Sequence, residues 1–93
     1  MTMLGTEDVL VTRRMYEQGR KPADILRHFA VSRPELSVVH LMDLLSDAFA
    51  LPHEAVQCLG GWWHDGSGEL SDERINTLIS GAITAAASAK QAP

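Results

Sequence analysis

Four histidines (His28, His40, His53 and His64), one cysteine (Cys58) and the stretch Asp65-Gly66-Ser67-Gly68-Glu69 are the residues whose types could do chemistry here. Their spacing disfavours each reaction in turn. No two histidines stand at i, i+4 and no glutamate brackets a pair, so the helical zinc pattern is absent. The acidic glycine stretch has the look of a calcium loop, yet Leu70 stands at its sixth position, where the loop needs glycine. Asn76 stands at the twelfth, where a bidentate glutamate closes the coordination sphere. Ser67 lies between glycines outside a Gly-x-Ser-x-Gly elbow, and no strand precedes it. Cys58, beside Val56 and Leu59, reads as a packed, inert thiol. Gly19-Arg20-Lys21-Pro22 lacks the spacing of a phosphate cradle. These absences predict a protein that is not an enzyme and carries no cofactor or metal.

The other unusual residues are Trp62 and Trp63, both tryptophans of the chain, inside Gly60–Leu70, GGWWHDGSGEL. Adjacent side chains in such a turn cannot both enter one core. The expectation is that Trp62 closes the bundle against Leu59 and Ile75, while Trp63 stays partly exposed as an aromatic anchor. His64, Asp65, Glu69, Asp72 and Glu73 surround the pair. Trp62, Trp63, His64, Asp65, Glu69, Asp72 and Glu73 are therefore the candidate partner-binding residues.

Helices must position this loop. Thr6 is placed to cap a first helix, with Glu7 and Asp8 in its first turn and Gly19 ending it. Pro22 suits the first position of a second helix reaching Phe29, which buries Ile25, Leu26 and Phe29. Ser32-Arg33-Pro34-Glu35 has the form of a capping box for a third helix to about Ala50, with Leu36, Val39, Met42, Leu45, Ala48 and Phe49 on its apolar face. Pro52 restarts the chain, and His53 to Leu59 makes two turns stopped by Gly60-Gly61. Ser71 caps the last helix, with Leu70 and Ile75 as a hydrophobic staple and Leu78, Ile79, Ala82 and Ile83 continuing its buried face. The alanine-rich end from Ala85 and residues 1–5 are expected to fray. No run alternates with period two, so the fold class is all-α: one domain over 1–93, a bundle of about five helices.

Composition agrees. Ninety-three residues, 45% of them hydrophobic, suffice for one small core. One cysteine excludes an internal disulfide framework and fits a reducing cytoplasm, while no apolar run is long enough to span a membrane. The net charge of −4 hides an asymmetry. Residues 1–33 carry six bases (Arg13, Arg14, Arg20, Lys21, Arg27 and Arg33) against four acids. Residues 34–89 carry Arg74 alone against eight acids: Glu35, Asp43, Asp47, Glu54, Asp65, Glu69, Asp72 and Glu73. That second region steers basic partners toward itself and repels phosphate backbones.

Two families share features with the chain. Met15-Tyr16-Glu17-Gln18-Gly19 followed by Lys21 to Leu41, KPADILRHFAVSRPELSVVHL, resembles helix-turn-helix DNA-binding domains. It departs from them where Leu26 replaces the small residue at the helix crossing and Ala30 the turn glycine. The reading helix has no Arg, Lys, Asn or Gln after Arg33, and those side chains read base edges. Leu44 to Ile83, LLSDAFALPHEAVQCLGGWWHDGSGELSDERINTLISGAI, resembles small immunity proteins of bacterial polymorphic-toxin and contact-dependent inhibition systems in its AF-x-L…EAV helix pair, GGWW turn and DGSGELSDERI cap. This second resemblance implies a cytoplasmic inhibitor of a cognate toxin, a basic protein such as a nuclease, acting by occlusion of its active site. The alternative is a DNA-binding regulator using Arg13, Arg14, Arg20, Lys21, Arg27 and Arg33. A symmetric homodimer is a third reading.

Overall fold

Helix-forming segments punctuated by Gly, Pro and Ser leave this chain one way to bury its leucines and isoleucines, by stacking short helices face to face. The computed structural model describes residues 5–63 and 65–91, and the side chains of 5–63 and 65–87. Among these residues, α1 spans Thr6–Glu17, α2 Pro22–Ser32, α3 Val38–Phe49, α4 His53–Val56 and α5 Asp72–Gln91. A 3-10 segment, Gln57–Gly61, follows α4. The expected all-α bundle is what forms. α1 lies against α3, α2 lies against α5, and α4 with the 3-10 segment closes the end between α3 and α5. The radius of gyration, 12.6 Å, is that of a well-folded chain of this length.

The core is assembled from every element. Ile25, Leu26 and Phe29 of α2 enter it, as their spacing predicts, with Leu41, Leu44 and Leu45 of α3, Leu51, Val56 and Leu59 of the connecting segments, and Ile75 and Ile79 of α5. Pro22 opens α2 as expected, and Gly19, at φ +92°, ends α1 in the left-handed region that glycine adopts without cost.

Several local expectations are corrected. Thr6 is the first residue of α1 and its cap is Gly5, whose N–H donates to the Asp8 carboxylate at 2.9 Å. Ser32 ends α2, which continues three residues past Phe29, and no helix starts at Arg33. The box that does open α3 is Ser37 with His40: the Ser37 N–H donates to His40 Nδ1 at 2.9 Å. The later start turns the apolar face. Leu41 and Leu44 become buried, Leu36 is buried in the preceding turn, and Val39 is 58% exposed. Leu78, expected inside, is likewise an exposed residue of α5, because Ile75 and Ile79 already fill the facing stripe.

Arg33 has a different function from the one its position suggested. Its guanidinium forms two parallel hydrogen bonds to the Asp8 carboxylate, 3.0 and 2.6 Å, joining the end of α2 to the start of α1. The Arg33 hydrogen bonds, offset in part by burial, hold the Asp8 carboxyl below its ordinary value of 3.8. Asp8 is depressed in the folded state, so its ionised form favours folding. That contribution is complete above about pH 4 and disappears as the pH falls through the folded value. Asp8→Asn is therefore expected to cost about 2 kcal/mol at pH 7, less than a fully buried pair because Arg33 is about a third exposed. Urea titrations at pH 7 and pH 3 should show the deficit shrinking at the acid end.

α3 ends on Ala50 at φ 55°, ψ 44°, a left-handed cap built without glycine. The Leu51 N–H donates to the Ser46 carbonyl at 3.1 Å, and the Ser46 hydroxyl donates to the Leu51 carbonyl at 2.6 Å. Ala50→Gly is expected to raise stability by about 1 kcal/mol by relieving the Cβ clash. A rise in the denaturation midpoint checks it.

Candidate functional site

The segment from Gly61 to Leu70 folds into a closed loop. The Leu70 N–H donates to the Gly61 carbonyl at 2.7 Å, tying the two ends together. Inside, the Gly66 N–H donates to the Trp63 carbonyl at 3.1 Å and the Ser67 N–H to Asp65 Oδ1 at 2.9 Å, with Gly66 at φ +84°. Gly68 is pressed against the far side of the loop: a Cβ there would lie 2.5 Å from the Gly61 carbonyl oxygen and 2.7 Å from Trp62 Cα. Loops of this length with joined ends are compact surface units whose own atoms fill them.

The two tryptophans separate as their adjacency demands. Trp62 is 3% exposed and shares the buried cluster with Leu59 and Ile75. Its indole N–H donates to Asp72 Oδ1 at 2.9 Å. Arg27 of α2 reaches the same carboxylate, 2.9 Å to Oδ1 and 2.7 Å to Oδ2, with its guanidinium carbon 5.9 Å from the Trp62 ring centroid. The Trp62 hydrogen bond and then the Arg27 pair hold the Asp72 carboxyl below its usual range. Trp63 is half-buried, packed on the margin of the core.

Asp65, Glu69, Asp72 and Glu73 line one open groove of about 610 Å³ with Arg27 and the glycine backbone of the loop. Asp65, Glu69 and Glu73 are exposed there. The structure therefore brings four of the seven sequence-predicted residues to one surface and sets Trp63 in the same loop. Trp62 faces the core, as expected from its place beside Leu59 and Ile75, so it positions the loop from behind and its place among the partner-binding residues is corrected to a supporting one. His64 lies outside the described residues.

Arg27 is the residue that sequence reasoning assigned elsewhere. By position it belongs with the N-terminal bases, and nothing in local spacing links it to Asp72, 45 positions away. Arg13 and Arg33 are also engaged internally, Arg13 with the Ala48 carbonyl and Arg33 with Asp8. Of the basic set, Arg14, Arg20 and Lys21 remain on the exposed surface.

Among the described residues, no three His, Cys, Asp or Glu side chains are grouped to hold a metal ion. Cys58 is partly buried, its Sγ 3.7 Å from the Ala55 carbonyl, and burial pushes the thiol pKa up, away from nucleophilic reactivity. No helix among the described residues is long and apolar enough to cross a membrane. Compared with protein-family models, with curated proteins and with solved structures, the chain matches none.

Proposed function

We propose that this protein acts by binding another protein through the Gly61–Leu70 loop and the start of α5, as an inhibitor that neutralises a basic toxin in the cytoplasm. The observation that carries the reading is the convergence of Asp65, Glu69, Asp72 and Glu73 on one groove, with half-buried Trp63 in the same loop. A large aromatic supplies contact area at small entropic cost, and clustered carboxylates accelerate encounter with a basic surface. A nuclease active site is such a surface, because it is built to receive phosphates. The inhibitor's acids would take the place of the substrate backbone.

The test is affinity capture from native cytosol, followed by co-expression of the captured protein in a bacterial host. The expected result is one near-stoichiometric basic partner that arrests growth alone and is neutralised by the wild-type chain. Trp63→Ala should weaken the complex by about 2 kcal/mol, roughly thirtyfold. Asp65→Lys should slow association and flatten its salt dependence. Unchanged affinity in both variants would overturn the proposal. Co-purifying DNA without a protein partner would instead direct attention to Arg14, Arg20 and Lys21.

A further inference from the structure

We infer that the groove between the start of α2 and the first turns of α5 is a second binding site, one that takes a phosphate group. It does not depend on the protein-binding reading of the loop. The groove, about 710 Å³, is lined by Lys21, Glu73, Arg74, Asn76, Thr77 and Ser80 among others. Its two cations are without an ion pair in the fold, as Arg13, Arg14 and Arg20 also are among the described residues. Arg27 and Arg33 each sit against a carboxylate, whereas among the described residues no carboxylate lies within ion-pair distance of Lys21 or Arg74. Arg74 is also the only base between positions 34 and 89, and it faces this groove.

The remaining polar groups complete a donor-rich set. Asn76 Oδ1 accepts the Ala23 N–H at 2.8 Å, which fixes the carboxamide and commits its oxygen to the protein. Its two N–H donors are left for another acceptor. The Ser80 hydroxyl adds a further donor, while the Thr77 hydroxyl donates to the Glu73 carbonyl at 3.0 Å and offers only acceptor capacity. An ammonium, a guanidinium, an amide NH₂ and a hydroxyl together suit a group that only accepts. Glu73 opposes such a ligand with a single negative charge. A phosphate monoester, carrying close to two charges at neutral pH, still gains from Lys21 and Arg74. The groove is open and gives no enclosed chamber, so the ligand is held by its phosphate end.

The probe is inorganic phosphate, titrated into the ¹⁵N-labelled full chain at constant ionic strength with chloride as the compensating salt. Saturable shifts are expected at the amides of residues 21–24 and 72–80 and at the Asn76 side-chain NH₂. Arg74→Gln should weaken binding about tenfold and Lys21→Gln about fivefold, whereas Glu73→Gln should tighten it about threefold. All three side chains are exposed, and unchanged spectra elsewhere verify the fold of each variant. Shifts that stay linear, that chloride reproduces, or that keep their midpoint in Arg74→Gln overturn the site. Acetate binding as tightly as phosphate would overturn the phosphate assignment in favour of a carboxylate.

Discussion

Trp62→Ala is expected to remove about 4 kcal/mol of stability, a large part of the roughly 5–15 kcal/mol available to a domain of this size. The loss has two sources. A large buried ring leaves the cluster that holds Leu59 and Ile75, and the surrounding helices close over the void only in part. Asp72 also loses the hydrogen bond that it accepts from a core residue, and is then held by Arg27 alone. Trp62→Phe separates these sources by keeping most of the ring while deleting the N–H donor. It should cost about 1–2 kcal/mol, since Arg27 continues to satisfy the carboxylate. Trp63→Ala, at the margin, should stay within about 1 kcal/mol of wild type. Urea denaturation of the three variants checks the order. Equal midpoints for Trp62→Ala and Trp63→Ala would show that Trp62 is not a core residue.

Gly68→Ala is expected to cost about 3 kcal/mol, because its Cβ position is the most crowded of the chain's glycines. The added carbon would meet the Gly61 carbonyl oxygen, Trp62 Cα and the Trp62 carbonyl carbon at 2.5, 2.7 and 2.9 Å. All three are backbone atoms, so relief requires the two halves of the loop to move apart. That movement breaks the Leu70-to-Gly61 hydrogen bond and draws Trp62 away from Asp72. The variant should show a lower denaturation midpoint and a red-shifted tryptophan emission in the folded state. Gly66→Ala provides a contrast, because open space surrounds its Cβ position and only its φ of +84° resists a side chain. Its cost should be about 1–2 kcal/mol. Wild-type emission and stability in Gly68→Ala would disprove the close approach.

The fold was legible in the sequence because its punctuation is local. Pro22, Gly19 and Ser71 mark helix boundaries by rules that need no knowledge of tertiary contacts, and the structure observes them. Gly60-Gly61, expected to stop a helix running from His53 to Leu59, instead lie within the 3-10 segment that takes over where α4 ends at Val56. The segment between α2 and α3 departs from its local pattern for the same reason. Ser32-x-x-Glu35 and Ser37-x-x-His40 are both plausible starts, and local pattern cannot choose between them. Arg33 decides the matter from a distance, because its pair with Asp8 holds it at the cap of α2. Separation of the two tryptophans also followed from their adjacency in a turn. What periodicity could not supply was the link from Arg27 to Asp72, a contact between residues whose local surroundings carry no trace of each other. The four acids around the loop were recognisable by type, while their convergence on one groove required the path of the chain from Trp62 back to α5.

The hydrogen bonds inside the loop limit how anything can attach to it. The amides of Gly66, Ser67 and Leu70 are already turned inward to Trp63, Asp65 and Gly61. A visiting peptide therefore cannot extend the backbone here as an added strand. Recognition is left to side chains on a frame that is ordered before any encounter. Association at this surface should accordingly show a small heat-capacity change and little sign of coupled folding, the thermodynamic pattern of a preformed relief.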